Sequence, residues 1–419
     1  MDYKGIGYLR SLLVQKRERV LLRYKYYNSK DDSYKPSFVI PPNMKSAFRS
    51  NVGWCGKAVD SIVDRLVYNG VDNDLFNIGE IFGMNNPSVF FRSAIQSALV
   101  AACAFVYVTP DEDGYPRMQV LDAGNATGRM DIITGMLKEG YAVLERGDHD
   151  EPITEAYFTH EETQIISGGV ATVYRNETGY PLLVPVVFRP DAERPFGHSR
   201  ISRACMSLQE KAKDTLTRAD VTAEFYSFPQ KYILGMDPEA EPLEKYRASI
   251  SSFLQFDKDP DGGHPVLGQF NMASMTPHLE QFKLYASAFA GETGLTLDDL
   301  GFVSENPSSA EAIKASHDTL VNTIEGAKIT LGAGLLNAGF VAACLRDKMD
   351  YNRKALYQSS IKWLPTIKAD AAMLSAIGDG IIKINQSVPE YFDKASVENL
   401  TGIKAAANGG YRSGSDREH

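Results

Sequence analysis

Cysteine is scarce in this chain, and the few that are present stand alone. The 419 residues include four, and no two of them form a C-x-x-C pair: Cys55, Cys103, Cys205 and Cys344. Scattered single cysteines predict neither a zinc ribbon nor a disulfide framework. Alanine stands beside three of them, which indicates buried thiols that pack as small hydrophobic side chains. This usage predicts a reducing compartment.

Positive charge is also in short supply. Lys and Arg number 44 against 53 Asp and Glu, for a formal net charge of −9. A protein that grips nucleic acid by neutralising many phosphates needs the opposite balance, so tight duplex binding is excluded. A protein past which nucleic acid slides is compatible with this charge. Hydrophobic residues at 43% and charged residues at 23% are typical of a folded globular chain, whose length allows roughly two to four structural units.

Long apolar runs are missing as well. Residues 1–28 mix leucine and tyrosine with basic side chains, so the sequence predicts no signal peptide. A membrane span needs about 20 apolar residues, but the stretch 94–108 is interrupted by Gln96 and Ser97. The stretch 329–345 contains Asn337 and is rich in glycine and alanine, which favours close helix packing. We therefore expect a soluble chain without a membrane partner.

The basic N-terminal segment, helix-like to about Tyr27, leaves two interpretations open. A basic helix with apolar residues can bind a membrane surface or nucleic acid. It can also dock on the body of its own protein with one solvated face. Glu18 and the interleaved tyrosines favour the docked helix.

Nucleotide-binding motifs are incomplete. Residues 53–57 end in a Gly-Lys pair but lack the four-residue gap and the Ser or Thr of a P-loop. Gly332 and Gly334 are followed by Leu335, Leu336 and Asn337, so the third glycine of a dinucleotide fingerprint is missing. The sequence predicts no nucleotide and no other cofactor.

Catalytic and metal motifs also fail at a decisive position. Residues 197–201 begin like the nucleophile elbow of a hydrolase but end in Ile201 where glycine is required. A turn entering a helix, with Ser199 or Ser202 as N-cap, is favoured, and a hydrolase using Ser199 or His198 stays the alternative. Residues 160–164 lack the second histidine of a zinc protease, and His317 lies on an apolar seam, which favours a core or interface histidine.

The acidic residues Asp257, Asp259 and Asp261 begin like a calcium loop. The twelfth position of that loop needs a bidentate glutamate, but this sequence has Gly268 there and Pro260 inside the loop. The pattern favours a charged surface turn. No catalytic residue and no metal ligand are predicted anywhere in the chain.

Hydrophobic periodicity divides the chain into alternating helical and strand-like parts. Helical patterns cover residues 57–68 and 88–103, and residues 104–190 show strand-like runs separated by turn dipeptides. We expect a meander of antiparallel strands there. Further on, strand-like ends flank a short helix at 243–253 inside a small block, 230–278.

Helical patterns return after that meander. A helix is predicted over residues 202–228, with an apolar stripe at Leu208, Ala212, Leu216, Ala219 and Ala223, and with Lys211, Asp214 and Arg218 on another face. A second helix is predicted over 279–290. The longest helical pattern follows a polar loop: Ile313, Leu320 and Ala327 repeat at seven-residue intervals, as do His317, Ile324 and Leu331. Residues 355–404 are helical in texture and a Gly/Ser-rich tail follows.

Five segments, in a fixed order, carry a resemblance. They are residues 51–71, with Val59-Asp60, Arg65-Leu66 and Asn69-Gly70; the strand 185–188 and turn 195–201; residues 223–235; residues 289–301; and residues 306–313. Together they resemble the portal proteins of tailed bacteriophages, in particular the long-tailed group. The resemblance covers about residues 45–400. Thr296 stands where many relatives have proline, and Cys103 lies near a position that is often glycine.

The resemblance implies an α+β fold of named parts. They are a wing at residues 1–201, a stem helix at 202–228, a small α/β clip at 229–278, a second stem helix and turn at 279–302, a tunnel loop at 303–309, a long spine helix of the wing at 310–347, a helical crown at 348–405 and a disordered tail at 406–419. The two stem helices are expected to be antiparallel and side by side.

The resemblance also implies a function without catalysis. Such proteins form a ring of typically twelve copies at one capsid vertex, through which double-stranded DNA is packaged and ejected. Implied partners are the terminase, which hydrolyses ATP, the major capsid and scaffold proteins, and a head-completion or adaptor protein. The implied location is the virion, with the host cytoplasm during assembly. A non-portal scaffold or connector protein of the phage head stays an alternative.

The resemblance also assigns candidate site residues. Lys211, Asp214 and Arg218 are expected to face the channel, and Asp257, Asp259 and Asp261 to dock partners at the clip. The tunnel loop that projects toward DNA comprises Val303, Ser304, Glu305, Asn306, Pro307, Ser308 and Ser309. Its only formal charge is Glu305, which suits transient contact with a moving duplex better than binding.

Overall fold

A computed structural model describes residues 3–30, 50–227, 231–234, 266–269, 274–302, 315–367 and 371–403. Its helices are α1 (Ile6–Tyr27), α2 (Trp54–Val63), α3 (Ile78–Met84), α4 (Pro87–Ala101), α5 (Arg203–Ser227), α6 (Thr276–Thr293), α7 (Asp318–Asp347), α8 (Ala371–Ser387) and α9 (Lys394–Thr401), with a 3-10 helix at Arg353–Gln358. Its strands are β1 (Tyr68–Asp72), β2 (Cys103–Pro110), β3 (Pro116–Asp122), β4 (Ala126–Met130), β5 (Leu137–Arg146), β6 (Pro152–Phe158), β7 (Glu162–Ser167), β8 (Val170–Arg175), β9 (Leu183–Val187), β10 (Lys231–Leu234), β11 (Val266–Gln269) and β12 (Ser360–Trp363).

The chain divides into two compact units. The first, here the sheet unit, comprises residues 1–28, 56–202 and 308–419. The second, here the helix-pair unit, comprises residues 29–55 and 203–307. The long helix α7 therefore belongs to the same unit as the N-terminal strands, although about a hundred residues of the other unit separate them in sequence.

The predicted antiparallel strands form two sheets of the sheet unit. Strands β4 to β8 follow one another as a five-stranded meander, and β9 instead returns to pair with β2 in the order β3-β2-β9. The turn dipeptides lie at hairpin connections, where Gly114, Gly168 and Gly169 have φ between 56° and 81°, a region that glycine enters without steric cost. The mixture of helices and antiparallel sheet agrees with the predicted α+β class.

The strand pair β1 and β12 corrects two predictions. The helix expected over residues 57–68 ends at Val63, and Tyr68 begins a strand. Residues 360–363, expected to be helical, form the antiparallel partner of that strand, with Tyr68 opposite Trp363. Because the two strands are almost 300 residues apart, each gains its hydrogen-bond partner only in the folded chain, and local periodicity carries no sign of the pairing.

The long helix α7 lies at the centre of the sheet unit. Leu320, Ile324, Ala327 and Leu331 are all buried, as their seven-residue repeat predicted; Ile313 lies outside the described residues. A Cβ atom at Gly334 would lie 2.9 Å from the Pro185 carbonyl oxygen, so glycine permits the close approach of helix and β9.

Helix α7 is also apolar and long enough to cross a membrane, judged by length and composition alone. In the described residues 72% of its most apolar 18-residue window is buried inside the protein. This burial agrees with the predicted close packing of residues 329–345. The four cysteines are all buried and form no disulfide, Cys103 and Cys344 in the sheet unit and Cys55 and Cys205 in the helix-pair unit, and burial raises the pKa of the Cys103 thiol to about 12.

The basic helix α1 is docked on the five-stranded sheet, as favoured above. Leu9 and Leu13 pack with Tyr141, Val143 and Tyr157 of β5 and β6. Its basic residues bind the sheet: the Arg10 guanidinium forms an ion pair with Glu155, Arg17 Nη2 lies 2.6 Å from Asp150 Oδ1, and Lys16 Nζ lies 4.7 Å from the Phe196 ring centre. Burial lowers the pKa of Lys16.

A buried carboxylate holds the beginning of α1. Glu139 has no exposed side-chain surface and accepts hydrogen bonds from the backbone N–H groups of Lys4 and Gly5, at 2.9 and 3.1 Å. The Arg129 guanidinium and the Tyr157 hydroxyl donate to it as well, at 3.0 and 2.9 Å. Burial alone would raise the pKa of Glu139, but the hydrogen bonds from these four donors have the larger effect. The pKa of Glu139 therefore lies below its ordinary value.

Candidate functional site: the paired helices and the turn after them

Several candidate site residues lie outside the described residues. They are the tunnel loop at 303–309, the acidic residues Asp257, Asp259 and Asp261, the short helix at 243–253 and the tail. The remaining candidates lie on α5, whose partner in the helix-pair unit is α6.

Helices α5 and α6 pack side by side in opposite directions. Thr222 Oγ1 lies 3.4 Å from His278 Nε2, and Thr215 Oγ1 donates to Gln281 Oε1 at 3.4 Å. Lys211 Nζ lies 6.0 Å from the Tyr285 ring centre. The residue number falls along α5 as it rises along α6, which defines an antiparallel pair. Strands β10 and β11, between the two helices in sequence, pair antiparallel with Lys231 opposite Gln269.

The three candidate channel residues lie on one stretch of α5 and are already engaged. Arg218 and Asp214, one helical turn apart, form an ion pair. Lys211 is exposed and contacts the Tyr285 ring. Among these three residues the Asp214 carboxylate offsets the Arg218 guanidinium, which leaves the positive charge of Lys211.

The apolar stripe predicted on α5 is only partly buried. Ala212 is buried and Ala223 is exposed, while Leu208, Leu216 and Ala219 are half-buried. The buried positions are instead mostly polar, with Gln209, Lys213, Thr215 and Thr217 each at most 4% exposed. Thr215 and Thr217 donate to the Lys211 and Lys213 carbonyls, at 3.0 and 2.9 Å. Such back-bonding to the preceding turn satisfies the buried hydroxyl of Thr217, whereas the Thr215 hydroxyl lies within bonding distance of both the Lys211 carbonyl and Gln281 of α6.

The apolar contacts of the helix-pair unit come from an aromatic cluster that the sequence did not reveal. The Trp54 ring lies 5.3 Å from Phe282 and 5.4 Å from Phe289, centre to centre, and Phe282 lies 5.6 Å from Phe302. The Gln209 side chain accepts a hydrogen bond from the Cys55 backbone N–H at 2.8 Å. Only two tryptophans occur in the chain, and that rarity was the one available signal.

The turn after α6 is fixed by a reciprocal pair of side-chain bonds. Asp299 Oδ2 accepts from the Thr296 N–H and hydroxyl, both at 2.9 Å, while the Asp299 N–H donates to Thr296 Oγ1 at 3.1 Å. This is the bonding of a capping box. Thr296 thus supplies the side chain that orders this turn, and the turn leads directly to residue 303.

In the structure the hydroxyl of Ser199, the candidate nucleophile of the hydrolase alternative, is bonded to the backbone. Ser199 Oγ donates to the Val100 carbonyl at 2.6 Å and accepts from the Ile201 N–H at 3.0 Å. The His198 ring is paired with Asp191, Nε2 to Oδ2 at 2.6 Å. Gly197 has φ 75°, and a Cβ atom added there would lie 2.1 Å from the Phe188 carbonyl oxygen. The motif is therefore a tight turn packed closely against Phe188. No group of side chains able to hold a metal ion occurs among the described residues.

Among the comparisons of this chain with known proteins, no protein-family model matches it. It is 29% identical over 216 residues to the portal protein of Mycobacterium phage L5 and 29% identical over 215 residues to that of Mycobacterium phage D29. Each match covers 48% of this chain and 43% of the relative, so it spans less than half of either relative's length. The resemblance to phage portal proteins is thereby confirmed.

Solved structures of gene transfer agent particles are also similar. A chain from the native virion has a TM-score of 0.44 and a chain from the native neck one of 0.47, both at 12% identity. The matches cover 92% and 93% of this chain and 99% of each of those chains.

Proposed function

We propose that this chain is the subunit of a portal ring, through which double-stranded DNA enters and leaves a phage capsid. The observation that carries the proposal is the 29% identity to two portal proteins over more than 200 residues. The ring, of about twelve copies, lies at one capsid vertex and connects head to tail. It works without catalysis, while a separate terminase hydrolyses ATP.

The described geometry supports a conduit more than a tight DNA-binding protein. Asp214 compensates Arg218 on the face assigned to the channel, and the whole chain carries −9. A moving duplex needs a surface that does not hold phosphates, because each phosphate contact adds a salt-dependent attraction. We assign Lys211, Asp214 and Arg218 to that surface.

The tunnel loop is assigned to residues 303–309. The ordered turn held by Thr296 and Asp299 precedes it, and the long helix α7 begins further along the chain at Asp318. In a ring the loop repeats around the axis and forms the constriction.

The clip, residues 229–278, is assigned as the docking surface for the terminase and later for a head-completion protein. Its acidic residues Asp257, Asp259 and Asp261 supply the charge for that contact. Reversal of these three charges is expected to weaken terminase binding and to leave ring formation intact. Loss of rings with unchanged terminase affinity would contradict the assignment.

Assembly partners and location follow from the same proposal. The ring contacts the major capsid and scaffold proteins in the host cytoplasm and stays in the virion. A head scaffold or connector protein that is not a portal is the competing function, and it predicts no closed ring with a channel.

The proposed function is tested by measuring the mass and the shape of the purified protein. Twelve copies of the 46.2-kDa chain make a particle of about 550 kDa. Light scattering coupled to size-exclusion chromatography is expected to detect that mass. Negative-stain images are expected to show a ring with a central hole. A compact monomer at every concentration, with no ring in images, would contradict the proposal.

A further inference from the structure

An open apolar groove lies at the β9 edge of the three-stranded sheet. Its volume is about 380 Å³, and its wall includes Pro185 and Val187 of β9, Pro190, Ala333 and Ile329 of α7, and Ile132 of the β4–β5 turn. Ile329 and Ile132 are 74% and 72% exposed. Isoleucine exposed to this extent beside a concave apolar surface marks an interaction site.

The β4–β5 turn holds its isoleucines in place. Asp131 accepts from the Ile133 N–H at 3.2 Å and from the Thr134 hydroxyl at 2.9 Å. These hydrogen bonds lower the pKa of Asp131, and the bond from the Thr134 hydroxyl has the largest effect. The exposed apolar side chains of this turn therefore belong to a defined conformation, which a binding partner can meet without ordering it.

An exposed apolar corner lies at the opposite edge of the same sheet. Here α3 passes into α4, and Met84 and Val89 are each 62% exposed. The Asn85 side chain fastens this corner to β3: its amide donates to the Pro116 carbonyl at 3.0 Å and its oxygen accepts from the Met118 N–H at 2.9 Å. Asn85 thus occupies backbone groups that an edge strand would otherwise leave open.

The strand order β3-β2-β9 sets the two surfaces on opposite edges of one unit. A closed ring is built from head-to-tail contacts, which require two different surfaces on each subunit that fit one another. The apolar groove and the exposed apolar corner are two such different surfaces, on opposite edges of the sheet. A two-fold contact would instead need one surface that fits itself.

The charges around the two surfaces are complementary. Glu80, one turn before Met84, and Glu112 and Asp113 of the β2–β3 turn are exposed at the corner. Arg353 of the 3-10 helix lines the groove, and Lys354 beside it lines an adjoining hollow that shares Ala333, Asn337 and Arg353 with the groove. Groups of the other sign at each surface are engaged within the chain: Arg117 pairs with Asp111 at 3.5 Å and Arg346 with Asp347 at 2.8 Å near the corner, while Asp191 bonds to His198 at 2.6 Å and Asp131 accepts from Thr134 at the groove. Acidic corner and basic groove favour contact between copies in one orientation.

We propose that the α3–α4 corner of one copy docks in the β9-edge groove of the next, head to tail. The inference rests on the proposed ring and names the surfaces that close it. Met84 and Val89 fill the apolar groove, while Glu80 meets the basic residues Arg353 and Lys354.

Two full-length variants test the contact by complementation. Val89→Asp disables the corner and Ile329→Asp disables the groove, and both side chains are exposed in the subunit. Each variant alone is expected to lose rings, with self-association weakened at least about tenfold because an apolar contact gains an unpaired charge. An equal mixture contains one intact corner and one intact groove, so it is expected to form one-to-one dimers that grow no further, detected by mass photometry after cross-linking.

Val14→Asp is the matched control, since Val14 is 71% exposed on α1 and lies outside both surfaces. It is expected to form rings like the unaltered chain. Circular dichroism and thermal unfolding verify that all variants are folded. A charge swap adds a second measurement: Glu80→Lys and Lys354→Glu each weaken association, and together they restore it.

The results separate the inference from the proposed function. Rings of the unaltered chain that persist in both variants would overturn the corner-and-groove contact and leave the portal function standing. A mixture that forms no dimers, or loss of rings in the Val14→Asp control as well, would also overturn the contact. Absence of rings from the unaltered chain would overturn both.

Discussion

The buried carboxylate of Glu139 links the residues just before α1 to the sheet, and it accepts hydrogen bonds from four donors. Two of the donors are the backbone N–H groups of Lys4 and of Gly5, the N-cap of α1, where helical hydrogen bonding has not yet begun. A carboxylate at this end also interacts favourably with the helix dipole. One acidic side chain on β5 therefore determines where the N-terminal helix docks.

Glu139→Gln is expected to destabilise the fold by about 3–5 kcal/mol, because it leaves Arg129 and the backbone donors without their buried charge. The change is measured as the free energy of unfolding in urea at pH 7. Glu112→Gln, an exposed position, is the control and is expected to change it by less than about 0.5 kcal/mol. Equal effects of the two substitutions would refute the anchoring role.

The pH dependence follows from the lowered pKa of Glu139. A carboxyl group whose pKa is lower in the folded state contributes stability above its ordinary value of 4.5 and loses it as the pH falls toward the folded pKa. Urea unfolding between pH 5 and about 2.5 should therefore show a smaller decrease in stability for Glu139→Gln than for the unaltered chain. A steeper decrease in the variant would contradict the sign.

At the scale of elements, the turn from Thr296 to Phe302 connects packed helix to the assigned tunnel loop. Thr296 and Asp299 exchange three hydrogen bonds across it.

Thr296→Ala is expected to destabilise the fold by about 1 kcal/mol, the usual effect of losing a capping side chain. Thermal unfolding measures it. Thr296→Ser keeps the hydroxyl and serves as the control, with a change of less than about 0.5 kcal/mol. If serine is as damaging as alanine, packing of the threonine methyl explains the loss and the capping bonds do not.

At the scale of the whole molecule, the proposed ring multiplies each loop charge by the number of subunits. Glu305 is the only charged residue of the loop 303–309, so each copy contributes one negative charge that repels phosphate weakly. Salt screens this repulsion beyond about 8–10 Å. The constriction would then guide the duplex by shape.

Glu305→Lys converts that constriction to a ring of positive charge and is expected to slow or stall DNA translocation while rings assemble normally. The measurement is the packaging rate into capsid shells, with Glu305→Gln as a control that removes charge without adding the opposite sign. Packaging at the unaltered rate through an intact Glu305→Lys ring would reject the assignment of this loop.

Local patterns by themselves determined much of the chain. Seven-residue spacing located the buried side of α7 at Leu320, Ile324, Ala327 and Leu331, because a helix repeats its faces at a fixed interval. Motif order was enough to indicate phage portal proteins. The isolated cysteines with alanine neighbours were correctly expected to be buried.

Only the tertiary structure decided the features that depend on distant partners. Tyr68 and Ser360–Trp363 became strands because each completes the other's hydrogen bonds, and Gln209 and Thr215 are buried on α5 where an apolar stripe was expected. The groove and the corner share one sheet although β3 and β9 are about sixty residues apart. Hydrophobic periodicity indicates which residues are buried. Which element buries them, and which surface stays exposed to contact another copy, is determined only in the folded chain.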